Sequence, residues 1–238
     1  AELDEGNIYE ALQEGWKNNL RNCWWIIDYN RQSLDGVVRE GLFKRVEQIF
    51  DAFGWDVVRV KYGTLQRKAF AEEGGNKLKD WIDDCPNQLY SALTYMGGAV
   101  WRERLMDALG DQGDVTALLN ARNDDELAAL MENLGGNCVE TMAETFAAIK
   151  HDGPVCFMAY TIKGWGTPIA GHKDNHGGLM NKTQMAAWQQ HMGVAEGEEW
   201  GKFATIENPE ELQKFLDKTP FFAKGRRRHS DDIISVPA

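Results

Sequence analysis

Two stretches of the chain gather residues able to bind ions. The first, Asp28 to Gly36, offers the carboxylates of Asp28 and Asp35, the amide oxygen of Asn30 and the main-chain carbonyl of Gln32. Oxygen donors clustered in this way suit a hard divalent cation such as Mg²⁺. The second, Lys163 to Gly178, sets Lys163, His172, Lys173 and His176 among five glycines. Glycine lets the backbone approach an anion closely, and Lys and His neutralise it. On these residues alone each stretch has a simpler reading. The first serves as an ordinary Asp/Asn turn, and the second as a glycine loop with solvated charges. The second is not a P-loop, because it lacks the G-x-x-x-x-G-K-[ST] spacing. His151 and His191 fall at or near predicted helix ends, where a solvated cap is expected. Arg226, Arg227 and Arg228 read as a linker contact rather than a nucleic-acid site.

The elements that must position these stretches follow from apolar spacing. Leu3 to Leu20 reads as a helix, with Ile8, Leu12 and Trp16 on one face. Cys23 to Ile27 is a short continuous apolar run, as in a buried parallel strand, and it ends in the polar turn Asp28 to Gln32. Leu42 to Phe53 is a second helix, with Gly54 placed as its C-cap. Val57 to Val60 is a β-branched strand. From Thr64 to Lys150 helical patterns alternate with glycines, and the last of them, Glu140 to Lys150, leads into a third strand, Val155 to Ile162. Thr183 to His191 is a helix, followed by what reads as a small cap. Most tryptophans are expected in the core, Trp16, Trp24 and Trp25 among them, with Trp165 the exception in the glycine loop. Alternating strands and helices predict an α/β fold: an open, mostly parallel sheet with helices on both faces. Ligands in such sheets bind at the C-terminal strand ends, and both polar stretches lie there.

Composition bounds the rest. The 238 residues carry 26 Lys and Arg against 37 Asp and Glu, a formal charge of −11. That balance argues against a general affinity for nucleic acid or an anionic membrane, which needs clustered cations. Hydrophobic residues make up 43%, too many for a disordered chain. No apolar run approaches the roughly eighteen residues that span a bilayer. The N-terminal residues Ala1 to Glu5 have neither the basic start nor the apolar stretch of a secretory signal. Four scattered cysteines without a C-x-x-C pair read as buried free thiols of a cytoplasmic protein.

Several ordered motifs carry a family resemblance. The run from Ile26 to Gly36, IIDYNRQSLDG, resembles the second half of the thiamine diphosphate motif, in the version found in homodimeric pyruvate dehydrogenase E1 components. Gly54 to Val58, Leu134 to Asn137 and Ala159 to Gly166 are similar to the same family. Asn175 to Gly178 is nearer to transketolase. The resemblance spans essentially residues 1–200.

The resemblance implies a thiamine diphosphate-binding fold, residues 1–224, that lacks its first strand or strands, with residues 225–238 as an interdomain linker. It implies thiamine diphosphate and Mg²⁺ as cofactors. Asn30 would ligate the metal through its side-chain oxygen and Gln32 through its main-chain carbonyl. Ala1 and Glu2 would offer backbone N–H groups to the diphosphate. Lys163 would face the cofactor or substrate, and His176 would be the active-site histidine of a mobile loop, with His172 its rival for that position. The implied reaction is decarboxylation of a 2-oxo acid and reductive acylation of a lipoyl group on a partner acyltransferase, in a homodimer. The motif's Gly and metal-binding Asp would precede Ala1, so the resemblance implies a fragment with little activity alone. Two positions depart from the pattern: Ala1 stands where Gly is usual, and Asp28 where the E1 enzymes have Asn. The alternatives are a transketolase, with two-carbon ketol transfer between sugar phosphates, and a non-catalytic interaction module.

Overall fold

Three apolar runs become the strands of one sheet. The computed structural model describes residues 2–34, 36–203 and 205–219. The strands in chain order are β1 (Trp24–Tyr29), β2 (Gln32–Ser33), β3 (Gly36–Val37), β4 (Asp56–Val60) and β5 (Val155–Tyr160). The main sheet is parallel in the order β1-β5-β4, with Trp24 opposite Val155 and Asp56 opposite Val155 in register. β2 and β3 form a two-residue antiparallel hairpin directly after β1. Central β5, Val-Cys-Phe-Met-Ala-Tyr, is buried at every position, as a strand covered on both faces must be.

The helices are α1 (Gly6–Lys17), α2 (Leu42–Ala52), α3 (Thr64–Phe70), α4 (Gly75–Asp84), α5 (Asn87–Met96), α6 (Gly98–Leu109), α7 (Gly113–Asn120), α8 (Asp124–Glu132), α9 (Val139–Ala148), α10 (Lys182–His191) and α11 (Pro209–Lys218). The predicted helix over Leu3–Leu20 divides into a 3-10 turn at Glu2–Asp4 and α1. One sheet face, with Ile27, Tyr29, Cys156, Met158 and Tyr160, packs on Leu12 of α1 and on Val46 and Phe50 of α2. The same core continues through α4 to α8, where Trp101 lies edge-on to Tyr90 at 4.9 Å. The opposite face, Val60, Val155 and Phe157, is covered by Met142 and Phe146 of α9. Helices therefore lie on both faces of a parallel sheet, as the spacing predicts.

The tryptophan expectation needs correction. Trp16 is 64% exposed and Trp24 45% exposed, while Trp25 is half-buried against Phe50 and Trp55. β1 is an edge strand, and α9 packs over β5 and β4. Trp24 and Ile26 therefore project on a side of β1 that the described chain leaves open, although Trp24 still meets Phe157 at 5.1 Å. Apolar spacing identifies a face but not what covers it. The thiol expectation holds in part. All four cysteines are free, with Cys138 and Cys156 buried and Cys23 and Cys85 half-buried.

The chain divides into two compact units, Ala1–Met180 and Asn181–Ala238. In the second, α10 opens with a capping box in which Asn181 and Gln184 exchange side-chain and backbone hydrogen bonds at 2.9 Å. No helix among the described residues is long and apolar enough to cross a membrane. The linker expected at 225–238, with Arg226 to Arg228, lies outside the described residues.

Candidate functional site

The turn after β1 is built from its own polar side chains. The Asn30 Oδ1 accepts from the Gln32 N–H at 3.0 Å, an Asx turn that closes the strand. The Asn30 Nδ2 donates to the Asp28 carboxylate at 3.2 Å, which fixes which way the amide faces. Asp28 in turn accepts from the Thr161 hydroxyl at the end of β5, so the two strand ends are tied through one carboxylate. Asp28, the departure from the family pattern, thus orients the amide expected to ligate metal. Arg31 and Leu34 hold left-handed backbone, at φ 65° and 51°. Such conformations are uncommon for non-glycine residues and concentrate at binding sites.

Two further segments close on this turn. The Ser33 hydroxyl donates to Asp4, which brings the N-terminal 3-10 turn, with Glu2, onto the β2–β3 hairpin. Ala1 and Asp35 lie outside the described residues. Lys163 donates its ammonium to the Leu34 carbonyl, which joins the glycine loop to the β1 turn. Inside that loop the Asn175 Nδ2 donates to the carbonyls of Lys163, at 2.8 Å, and Ile169, at 3.3 Å. Its Oδ1 is buried without a partner. Gly171, at φ 73°, sits so close to α5 that a Cβ would lie 2.6 Å from the Ser91 carbonyl. The His172 ring meets Tyr95 edge-on at 4.6 Å. His172 thus packs on α5, while His176, next to the Asn175 anchor, is exposed.

The third wall comes from Leu134 to Asn137. The Asn137 Oδ1 accepts from the Ile162 N–H at 3.0 Å. Gly136 passes so close to β5 that a Cβ would lie 2.6 Å from the Thr161 methyl and 2.8 Å from the Tyr160 carbonyl. The residue types of Asn137, Asn175 and Asp4 give no sign of these contacts, which depend on distant strand ends.

A cavity of about 80 Å³ lies at the β1 turn, with Asp4, Asp28, Asn30 and Gln32 in its wall. Water occupies about 30 Å³ in the liquid, so this space suits an ion with a few ligands and not the body of a cofactor. The amide oxygen of Asn30 keeps a second lone pair, and the Gln32 Oε1 is buried with no partner. Among the described residues no three His, Cys, Asp or Glu side chains cluster as a metal cage. Mg²⁺ typically takes one or two protein carboxylates and completes its shell with water and a ligand's phosphates. The residues present fit that mode and do not fit a self-contained metal centre.

Beside the site, a charged cluster marks the end of β4. Lys61, Lys79 and the Tyr62 hydroxyl all converge on Asp83, with Lys79 at 2.7 Å. Burial pushes the Asp83 carboxyl up, but these three hydrogen bonds outweigh it and hold the group below the usual aspartate range. Burial draws the Lys61 ammonium below its usual range despite the carboxylate.

No family model matches the chain. Comparison with curated proteins finds the pyruvate dehydrogenase E1 component of Haemophilus influenzae 28% identical over 176 residues, 73% of this chain and 19% of that protein. The protein of the same name from Cupriavidus necator is 28% identical over 178 residues, again 73% and 19%. That of Escherichia coli K12 is 26% identical over 188 residues, 77% of this chain and 21% of the relative. The chain is thus similar, over some three quarters of its length, to a segment that makes up 19% to 21% of proteins named pyruvate dehydrogenase E1 component.

Proposed function

We propose that the chain forms the diphosphate- and Mg²⁺-binding part of a thiamine diphosphate-dependent 2-oxo acid dehydrogenase E1 component. The observation that carries this reading is the Asn30–Gln32 Asx turn at the C-terminal end of a parallel strand, in a chain similar to proteins of that name. Asn30 would hold Mg²⁺ through its Oδ1 and Gln32 through its main-chain carbonyl, with the cofactor's diphosphate completing the shell. Asp28 keeps the Asn30 amide turned for that task. The backbone of Ala1 and Glu2 would donate to the diphosphate, and Lys163, tethered to Leu34, would hold a positive charge beside it. His176 would give or take a proton during the reaction. The glycine loop would exclude water from the reacting centre. When bound, thiamine diphosphate supplies a carbon nucleophile and an electron sink for the departing carbon dioxide.

The reaction on this reading is decarboxylation of pyruvate or a related 2-oxo acid, followed by reductive acylation of a lipoyl group on a partner acyltransferase. The enzyme would be cytoplasmic and a homodimer. The chain spans 19% of the length of the first relatives it matches, so the remaining parts of the active site would come from other segments. Turnover tests this. A polypeptide consisting of these 238 residues, given thiamine diphosphate, Mg²⁺ and 2-oxo acids, is expected to show no decarboxylation. The polypeptide that carries the chain together with the rest of an E1 component is expected to decarboxylate 2-oxo acids. Ketol transfer between sugar phosphates in place of decarboxylation would overturn the proposal.

A further inference from the structure

Arg31 lies between the two expected metal ligands, and no step of the proposed function uses it. It is 8% exposed, more than nine-tenths buried. Its guanidinium sits over the Tyr90 ring, 4.5 Å from the centroid. Its Nη2 donates to the Thr161 carbonyl at 3.3 Å, and its Nε is buried with no partner. The titratable groups that act on it most are Tyr90, Cys85, Tyr29 and Tyr160, all neutral near pH 7, and the Lys61 ammonium adds a like charge nearby. No carboxylate among the described residues is paired with it. A guanidinium withdrawn from water without a counter-anion is costly, and an anion brought to it would offset that cost.

A cavity of about 400 Å³ opens onto this group, within the size range of small-molecule sites. Three aromatic rings form one wall: Tyr29 and Tyr160 lie 4.8 Å apart, and Phe43 lies about 6 Å from each. The acids in its lining are Glu40, Asp83 and Asp84. Glu40 and Asp84 are exposed, and Glu40 accepts from the Asn87 N–H at 3.3 Å. Asp83 is engaged by two lysines and a tyrosine. Exposed Lys44 also lines the cavity.

We propose that this cavity binds a small organic carboxylate, with the carboxylate on Arg31 and the carbon body against Tyr29, Phe43 and Tyr160. The guanidinium fork matches a planar carboxylate in shape and charge. The ring wall favours a ligand with a carbon body over a bare inorganic ion. The proposal does not depend on the cofactor reading, although Tyr29 and Arg31 also line the smaller cavity at the β1 turn.

The test is a melting series on the purified polypeptide carrying this chain, with sodium benzoate, sodium phosphate or sodium chloride at matched ionic strength, followed by calorimetry with benzoate. Benzoate is expected to raise the melting temperature saturably and to bind once per chain, with a smaller response to phosphate and none beyond ionic strength to chloride. Arg31→Met is expected to weaken benzoate binding by about tenfold or more. Without benzoate that variant is expected to melt no lower than the parent, because an apolar side chain replaces an unpaired buried charge. Lys44→Glu, at an exposed position, is expected to weaken benzoate by about threefold. A benzoate response equal to that of chloride, or unchanged affinity in Arg31→Met, would overturn the site. A stronger response to phosphate than to benzoate would overturn the carboxylate assignment.

Discussion

Asp83 shows how single residues at the strand ends combine into a charged frame. Its carboxyl is held below the ordinary aspartate value of 3.8 by Lys61, Lys79 and Tyr62, against the opposing effect of burial. A group whose pKa is lower folded than unfolded stabilises the fold above its unfolded pKa. That contribution is lost as pH falls through the folded pKa. Stability to denaturant is therefore expected to drop as pH is lowered beneath about 4. Asp83→Asn is expected to be less stable than the parent at pH 7 and to show a smaller acid-induced loss, as urea melts at a series of pH values would measure. Lys79 and Asp83 stand four apart on one helix, a spacing that lets them pair, but the frame was not visible in the sequence because Lys61 and Tyr62 arrive from just beyond β4. Asn30 and Gln32 were legible as a turn because their residue types follow an apolar run. Arg31 was not, because arginine reads as surface. Its burial comes from a left-handed backbone and from a tyrosine in α5.

At the scale of elements, the site depends on how closely the Leu134–Asn137 segment approaches β5. Gly136→Ala would force a methyl within 2.6 Å of the Thr161 side chain and 2.8 Å of the Tyr160 carbonyl. The segment must move away, and the expected cost is about 1–3 kcal/mol, read from equilibrium denaturation. The bond from the Ile162 N–H to Asn137 would weaken with it. On the sheet, Phe157 is fully buried and meets Trp24 and Phe146 edge-on. Phe157→Ala is expected to cost about 3–5 kcal/mol in the same experiment, since it opens a cavity between β5 and α9. The three strands of the main sheet, α2 and α9 were readable from apolar runs and helical spacing to within a few residues, whereas β2 and β3 fall where a polar turn was expected. Trp24 misled because a strand's apolar content does not say whether it is an edge, and β1 is one.

For the whole molecule, the parallel sheet with helices on both faces is the frame that brings the β1 turn, the end of β5 and the glycine loop together. Within a net charge of −11, the ammonium of Lys163 and the guanidinium of Arg31 place positive charge at this end of the sheet. Similarity to pyruvate dehydrogenase E1 components covers 73% to 77% of the chain in the three comparisons given above. The central claim is that the Asn30–Gln32 turn binds Mg²⁺ jointly with the diphosphate of thiamine diphosphate. Calorimetric titration of the polypeptide carrying this chain with thiamine diphosphate, with and without Mg²⁺, tests it most directly, run in parallel on Asn30→Ala. The account predicts saturable binding that requires the metal and weakens about tenfold or more in the variant. Absence of binding, binding indifferent to Mg²⁺, or full affinity in Asn30→Ala would contradict it.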